Sequence, residues 1–251
     1  MKVLPATWEL RSRIENYNMK HSKRFKALQA TQDITKEYDL PGAITEVKKN
    51  AGAKFDETVE ISINLGVDPR HSDQMIRSTV SLPHGIGKTV RVLVLCKEER
   101  EKEATEAGAD FVGLDEYVAK IKEGWFDFDS VIATPDCMPA VGKIGKILGP
   151  RGIMPNPKTG TVTDDIAKAV GEIKAGRISF RVDRYGILHV PVGKASFDAD
   201  KLKDNISSLL STVQRLRPSA AKGLYFKRFT LSSTMGVGVR INRAQALADL
   251  A

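Results

Sequence analysis

The stretch HGIGKTV (84–90) contains the Gly-Lys-Thr triplet that ends a phosphate-binding loop. In such a loop a glycine stands five residues before the triplet, and the loop follows a strand and opens a helix. Here Leu82 occupies the glycine position, and the triplet leads directly into the apolar run VRVLVLC (90–96). The stretch therefore argues against nucleotide hydrolysis. Its proline and glycine content predicts a hinge instead.

A second glycine-rich stretch, TMGVGVR (234–240), has the spacing of part of a dinucleotide-binding fingerprint. The third glycine of GxGxxG is missing, and we expect Asn242 and the chain end, rather than a helix, to follow. A nucleotide cofactor is excluded on this context, and the sequence predicts no cofactor of any kind.

Residue types that bind metals or act as nucleophiles are scattered along the chain. They form neither CxxC nor HxxxH spacing. The residues concerned are Cys96, Cys137, His21, His71, His84 and His189. The neighbouring carboxylates Asp164 and Asp165 follow Thr163, which indicates capping of a helix. The sequence therefore predicts neither a metal site nor an enzyme.

Charge is distributed unevenly over the 251 residues, whose net charge is +8. Residues 1–85 have 13 Lys and Arg against 11 Asp and Glu, and residues 86–176 have 13 against 15. Residues 177–251 have 13 against only 5. Basic flanks around a slightly acidic centre predict one basic unit made of both termini, with a second domain inserted into it.

Neither a membrane span nor a secretory leader is evident in the sequence. No run of about 18 apolar residues occurs, and the N-terminal MKVLPATWELRSRIENYNMK lacks a leader's apolar segment. We therefore expect a cytoplasmic protein with no membrane partner.

The hydrophobic pattern of the centre differs from that of the flanks. In the centre, apolar runs such as SVIATP (130–135) alternate with amphipathic segments, which is typical of buried parallel strands in an α/β domain. The flanks contain an amphipathic helix at 198–217 and stretches with period two, as in antiparallel strands with one solvated face. Those stretches are FDETVEISINLG (55–66), RISFRVD (177–183) and YFKRFTLS (225–232). We predict an α/β protein with two domains, in which the termini form an α+β domain with a mixed sheet and helices on one face.

A basic chain without catalytic groups favours RNA as the partner. Structured RNA is recognised in its shallow minor groove, where small polar groups reach ribose hydroxyls. Thr58 and Thr234 can exchange such hydrogen bonds, and Gly236 leaves the backbone unshielded. Two apolar side chains can cover these bonds, unless they belong to the core, and two cations can neutralise phosphates. These four are Phe55, Met235, Lys54 and Arg228.

Five stretches resemble the bacterial ribosomal protein L-one family, whose members belong to the mobile side stalk of the large ribosomal subunit. They are KFDETVEISINLGVDPR, SDQMIRSTVSLPHGIGKTVRVLVL, GPRGIMPNPKTGTVT, IKAGRISFRVD and STMGVGVRIN. The resemblance runs from about Met19 to Asn242. It implies a split RNA-binding domain of residues 1–85 and 177–251, with a Rossmann-like α/β domain, residues 86–176, inserted through two adjacent chain crossings.

The resemblance also implies the site and the partners. The family's RNA-contacting residues map onto Lys54, Phe55, Thr58, Thr234, Met235 and Gly236. Expected partners are large-subunit ribosomal RNA, the exit-site tRNA whose release the family assists, and the mRNA leader of the protein's own operon. We expect a monomer away from the ribosome. The alternatives are a stand-alone RNA-binding translational regulator and a nucleotide-using α/β enzyme.

Three further stretches have no such assignment. GPRGIMPNPKTGTVT (149–163) has three prolines that fix φ, which predicts a rigid structural loop before a helix at 164–175. Contact of Arg151 and Lys158 with an RNA phosphate remains open. The first 18 residues and the tail 243–251 depart from the family pattern, and we assign them no function.

Overall fold

The computed structural model describes residues 22–33 and 35–248, so His21, the first 18 residues and residues 249–251 lie outside the described part. The helices are α1 Lys23–Thr31, α2 Leu40–Asn50, α3 Glu101–Glu106, α4 Asp115–Glu123, α5 Met138–Gly142, α6 Gly145–Arg151, α7 Ile166–Lys174, α8 Ala199–Arg215 and α9 Arg243–Ala248. The strands are β1 Glu37–Tyr38, β2 Thr58–Leu65, β3 Arg77–Ser81, β4 Val92–Leu95, β5 Phe111–Gly113, β6 Ser130–Ala133, β7 Arg177–Arg181, β8 Ile187–Lys194, β9 Phe226–Ser233 and β10 Val239–Ile241.

The largest sheet has the strand order β1-β10-β9-β2-β8. β1 pairs parallel with β10, and the remaining pairs are antiparallel, so the sheet is mixed. Along β2 the buried residues Val59, Ile61, Ile63 and Leu65 alternate with more exposed polar ones, as the period-two pattern predicts. Helices α2, α8 and α9 pack on the buried face. The predicted mixed sheet with helices on one face is confirmed.

A smaller parallel sheet, β5-β4-β6, is formed by the central part of the chain. Leu93 and Leu95 of β4 face one buried cluster, while Val92 and Val94 face another that includes residues of α7. Strands buried on both faces are typical of βαβ folds, which explains the continuous apolar run in the sequence. The predicted α/β fold class is confirmed.

The chain passes between these two sheets next to the antiparallel pair β3–β7. Gly176, at φ +104°, touches Gly85, because a Cβ on Gly176 would lie 2.5 Å from the Gly85 Cα. The buried Asn205 fixes this point from α8. Its Oδ1 accepts from the His84 N–H at 3.1 Å, and its Nδ2 donates to the carbonyls of Gly85 and Val192 at 2.9 and 2.8 Å. The two crossings therefore lie side by side.

One sequence expectation about TMGVGVR is wrong. The last two residues of the stretch begin β10, and helix α9 follows that strand in place of an irregular chain end. The reason is Asn242, whose Oδ1 accepts from the N–H groups of Ala244 and Gln245 and so caps the helix. Because β10 separates the glycines from α9, they do not open the helix as a dinucleotide-binding turn does.

The stretch 149–163 is a loop only in part. Its first three residues form the last turn of α6, which ends at Arg151 and is capped by Gly152 at φ +76°. Beyond it, the Asn156 carbonyl accepts from the Thr159 and Thr161 hydroxyls, at 3.0 and 3.3 Å, which fits the predicted shaped loop. The Arg151 guanidinium stacks over the Phe126 ring at 3.4 Å.

Candidate RNA-binding surface

The start of β2 and the end of β9 meet at one end of the mixed sheet. The Thr58 N–H donates to the Thr234 Oγ1 at 3.0 Å, and the Thr234 N–H donates to the Thr58 carbonyl at 3.0 Å. The Thr234 hydroxyl can also donate to that carbonyl, at 3.3 Å. Residues 176 positions apart are thus joined through both backbone and side chain. We call residues 53–58 and 233–236 the strand-end surface.

A tight turn at 233–236 gives this surface its shape. The Gly236 N–H donates to the Ser233 carbonyl at 3.2 Å, which puts Met235 at the tip. A Cβ on Gly236 would lie 2.4 Å from the Ser233 Oγ, so a larger residue here would push that hydroxyl into another rotamer. The φ of Gly236 is not in the left-handed region, so its backbone conformation does not itself require glycine.

Apolar side chains project from both segments. Phe55 is 55% exposed and Met235 is 51% exposed. Neither residue belongs to the hydrophobic core, so the alternative that they are core residues is wrong. Large exposed apolar groups that flank polar ones are typical of binding surfaces.

A buried carboxylate, Glu57, underlies the surface. Its side chain is 1% exposed, and its two oxygens accept from the N–H groups of Ala53 at 2.8 Å and Met235 at 3.0 Å. Burial raises the pKa of Glu57, but the Met235 N–H, the Ser233 side chain, the Ala53 N–H and the Arg24 charge outweigh it and hold the pKa below its usual value. Glu57 is therefore ionised at neutral pH. The Ser233 Oγ makes no hydrogen bond of standard geometry, yet it lies close enough to affect this carboxylate.

Two cations of this surface have no recognisable signal in the sequence. Arg24 of α1 donates from Nη2 to the Met235 carbonyl at 2.8 Å. Lys194, at the end of β8, donates from Nζ to the Thr58 Oγ1 at 2.9 Å. With the exposed Lys54, they place three cations at this end of the sheet, against the carboxylates of Asp56 and Glu57.

The structure brings together six of the seven predicted site residues and separates the seventh. Arg228 lies opposite Asn64 on the exposed face of the sheet, six positions before Thr234 along the same chain segment. At about 3.3 Å per residue, it is roughly 20 Å from the strand-end surface. The sequence predicts Arg228 as a site residue from its charge alone, and charge does not indicate where a residue lies in the fold.

The two cysteines of the chain have the surroundings of structural residues, not of catalytic ones. Cys96 and Cys137 are buried, and burial raises the pKa of the Cys96 thiol to about 11, so it is protonated at neutral pH. Within residues 22–33 and 35–248, no group of three or more His, Cys, Asp or Glu is arranged to hold a metal ion. In that same part of the chain, no helix is long and apolar enough to cross a membrane.

Fold and surface together are those of an α/β RNA-binding protein. The chain belongs to the Ribosomal protein L1p/L10e family, whose model matches residues 47–237. It is similar to the large ribosomal subunit protein uL1 of Chlorobium luteolum, with 59% identity over 226 residues, covering 90% of this chain and 99% of that protein. The corresponding proteins of Solidesulfovibrio magneticus and Nitratidesulfovibrio vulgaris are 54% and 56% identical over 223 residues, covering 89% of this chain and 95% of each.

These matches confirm the resemblance on which the sequence interpretation depends. Because the family consists of structural ribosomal proteins, the chain is not an enzyme, as the sequence predicts.

The bond between Thr58 and Thr234 leads to a prediction about stability. Thr234→Val keeps the shape of the side chain but removes the acceptor of the Thr58 N–H. Because water reaches this site, we expect the free energy of unfolding to fall by only about 0.5–1.5 kcal/mol in urea titrations. Thr234→Ser retains the hydroxyl and serves as the control with nearly wild-type stability. Equal stability of all three proteins would contradict the bond.

Proposed function

We propose that this chain is a structural protein of the large ribosomal subunit in the cytoplasm, and that it binds ribosomal RNA of the mobile side stalk through the strand-end surface. The observation that supports this most directly is the combination found there. Threonine hydroxyls, turn backbone, the exposed Phe55 and Met235 and three cations all belong to this one end of the sheet.

The chemistry suits the minor groove of a folded RNA. Ribose 2′-hydroxyls both donate and accept hydrogen bonds, and so do the hydroxyls of Thr58 and Thr234. Phe55 and Met235 would cover these bonds and exclude water, which strengthens them. Lys54 would neutralise a phosphate at the edge, where its charge is free to follow the RNA backbone.

We further propose that residues 1–85 and 177–251 form one domain and residues 86–176 a second. The buried clusters support this division, because the cluster around the mixed sheet shares no residue with the two clusters around the parallel sheet. Both segments of the strand-end surface belong to the first of these domains. The protein would act as a monomer away from the ribosome.

Replacement of Phe55 tests the surface. Phe55→Ala removes a ring that is 55% exposed and lies outside the hydrophobic clusters, so stability should change little. Loss of one apolar contact with the RNA should weaken binding to a side-stalk RNA fragment by about tenfold, measured by filter binding at fixed salt.

Leu224→Ala is the matched control, because Leu224 is 54% exposed at the opposite end of the sheet. It should bind the fragment like the wild type. If Phe55→Ala also keeps wild-type affinity, the strand-end surface is not the RNA site.

The same surface would bind the mRNA leader of the protein's own operon, if that leader resembles the ribosomal site. The two RNAs would then compete, and free protein would repress translation of the operon. A stand-alone RNA-binding regulator would use this surface as well, so the alternatives differ in the RNA and not in the protein residues.

A second surface favours the proposed role in exit-site tRNA release. At the other end of the mixed sheet, the end of β2 lies between the β7–β8 turn and the segment that enters β9, because Leu65 contacts Gly186 on one side and Gly66 contacts Leu224 and Tyr225 on the other. The exposed groups there are Arg184, Tyr185, Lys222 and Leu224. Aromatic and basic side chains together suit single bases and backbone of RNA. The eight residues of β2 separate the two ends by roughly 25 Å, so a protein anchored on ribosomal RNA could touch tRNA at the same time.

We expect the double variant Arg184→Gln, Tyr185→Ala to bind side-stalk RNA normally but to slow the release of deacylated tRNA from reconstituted ribosomes. An exposed charge contact contributes about 0.5–1 kcal/mol, so the rate should fall by about threefold or more in stopped-flow fluorescence. Lys122→Gln, an exposed cation on α4, is the control. Unchanged release by the double variant would contradict the tRNA role of this surface.

A further inference from the structure

The two segments of the strand-end surface are held together by few groups. On the exposed side, the partly exposed bonds between Thr58 and Thr234 join them. Beneath it, Glu57 connects the loop at Ala53 with the turn at Met235, one carboxylate oxygen to each N–H. Phe55 lies between Ala53 and Glu57 in the chain, so the first bond closes a short loop that carries Phe55.

We infer that Glu57 is a positioning residue of the RNA site: its buried carboxylate sets the distance and orientation between the loop that carries Phe55 and the turn that carries Met235. This inference rests on the proposed function of the surface. Glu57 itself is buried and does not touch RNA in this account. It acts through the hydrogen bonds that it accepts from the N–H groups of Ala53 and Met235.

The negative charge of Glu57 makes it possible to distinguish a positioning role from a purely electrostatic one. A carboxylate near a polyanion opposes binding, so a role in charge alone predicts that its neutralisation strengthens RNA binding. A positioning role predicts the opposite result. A glutamine amide has one oxygen, which accepts, and one NH₂ group, which only donates. Its oxygen can therefore accept from one of the two N–H groups, while its NH₂ group faces the other without forming a hydrogen bond.

Two variants separate position from charge. Glu57→Gln removes the charge and one acceptor, while Glu57→Asp keeps the charge but is one methylene too short to reach both segments. We expect both to bind a side-stalk RNA fragment about tenfold more weakly or worse, at a temperature where unfolding curves show them fully folded. If Glu57→Gln does not fold, Glu57→Asp alone carries the test.

Glu60→Gln is the matched control three residues further along the chain, because Glu60 lies on β2 and is exposed on the opposite face. It should bind RNA as well as the wild type or slightly better. A second measurement is the coupling between sites: Glu57→Gln combined with Met235→Ala should weaken binding by clearly less than the product of the single effects, because Glu57 acts through Met235.

A purely structural residue would lower the melting temperature and leave the affinity of the folded protein intact. That result, or binding by Glu57→Gln that equals or exceeds the wild type, would overturn the inference while Phe55→Ala still weakens binding. If Phe55→Ala and both Glu57 variants all bind normally, the proposed RNA site itself is wrong.

Discussion

The antiparallel pairing of β2 with β9 is the interaction on which the rest of the structure depends. It places Val59, Ile61 and Ile63 opposite inward residues of β9, and these side chains form the centre of the largest buried cluster. Burial of a large apolar side chain contributes about 1.5–3 kcal/mol, so this ladder is a strong link between the two ends of the chain. Closure of the long intervening segment costs little more than closure of a shorter one, since each doubling of its length adds only about 0.6 kcal/mol. An inserted domain is tolerated for this reason.

The strand-end surface, which we propose binds RNA, follows from the way this ladder ends. Beyond the last residue of β9 the chain turns, and Thr234 and Met235 of this turn are exposed at the end of the sheet. The bonds of Thr58 and Thr234 continue the ladder for one more step. Glu57, on the buried side, then fixes the loop before β2 and the turn after β9 relative to each other. A rigid site of this kind loses little conformational entropy when RNA binds.

Sequence patterns predict the parts of this arrangement that depend on local chemistry. The alternation in 55–66 predicts β2, and the apolar runs of the centre predict the parallel sheet, because both patterns report burial directly. The helix after TMGVGVR is missed, since its signal is a single capping residue, Asn242, close to the chain end. The end of α6 is missed because Pro150 suggests a loop, although a proline one residue before a helix ends removes only one bond.

The candidate site is predictable only where the family motif contains it. Lys54, Phe55, Thr58, Thr234, Met235 and Gly236 follow from the resemblance, and the structure brings them together. Arg24, Glu57 and Lys194 are missed because their partners lie 211, 178 and 136 positions away, and no local pattern encodes such contacts. Arg228 shows the converse, since a suitable charge on β9 still lies at the other end of the sheet from the strand-end surface.

Hydroxyl-radical footprinting of the full chain, free and bound to side-stalk RNA, tests the central claim most directly because it reports the exposure of individual side chains. Phe55 and Met235 are exposed in the free protein and belong to segments that are distant in sequence. The account predicts that RNA slows the oxidation of both residues together, while Leu224 at the opposite end of the sheet remains as reactive as before. Unchanged oxidation of Phe55 and Met235 in the RNA complex, or protection of Leu224 in their place, would contradict it.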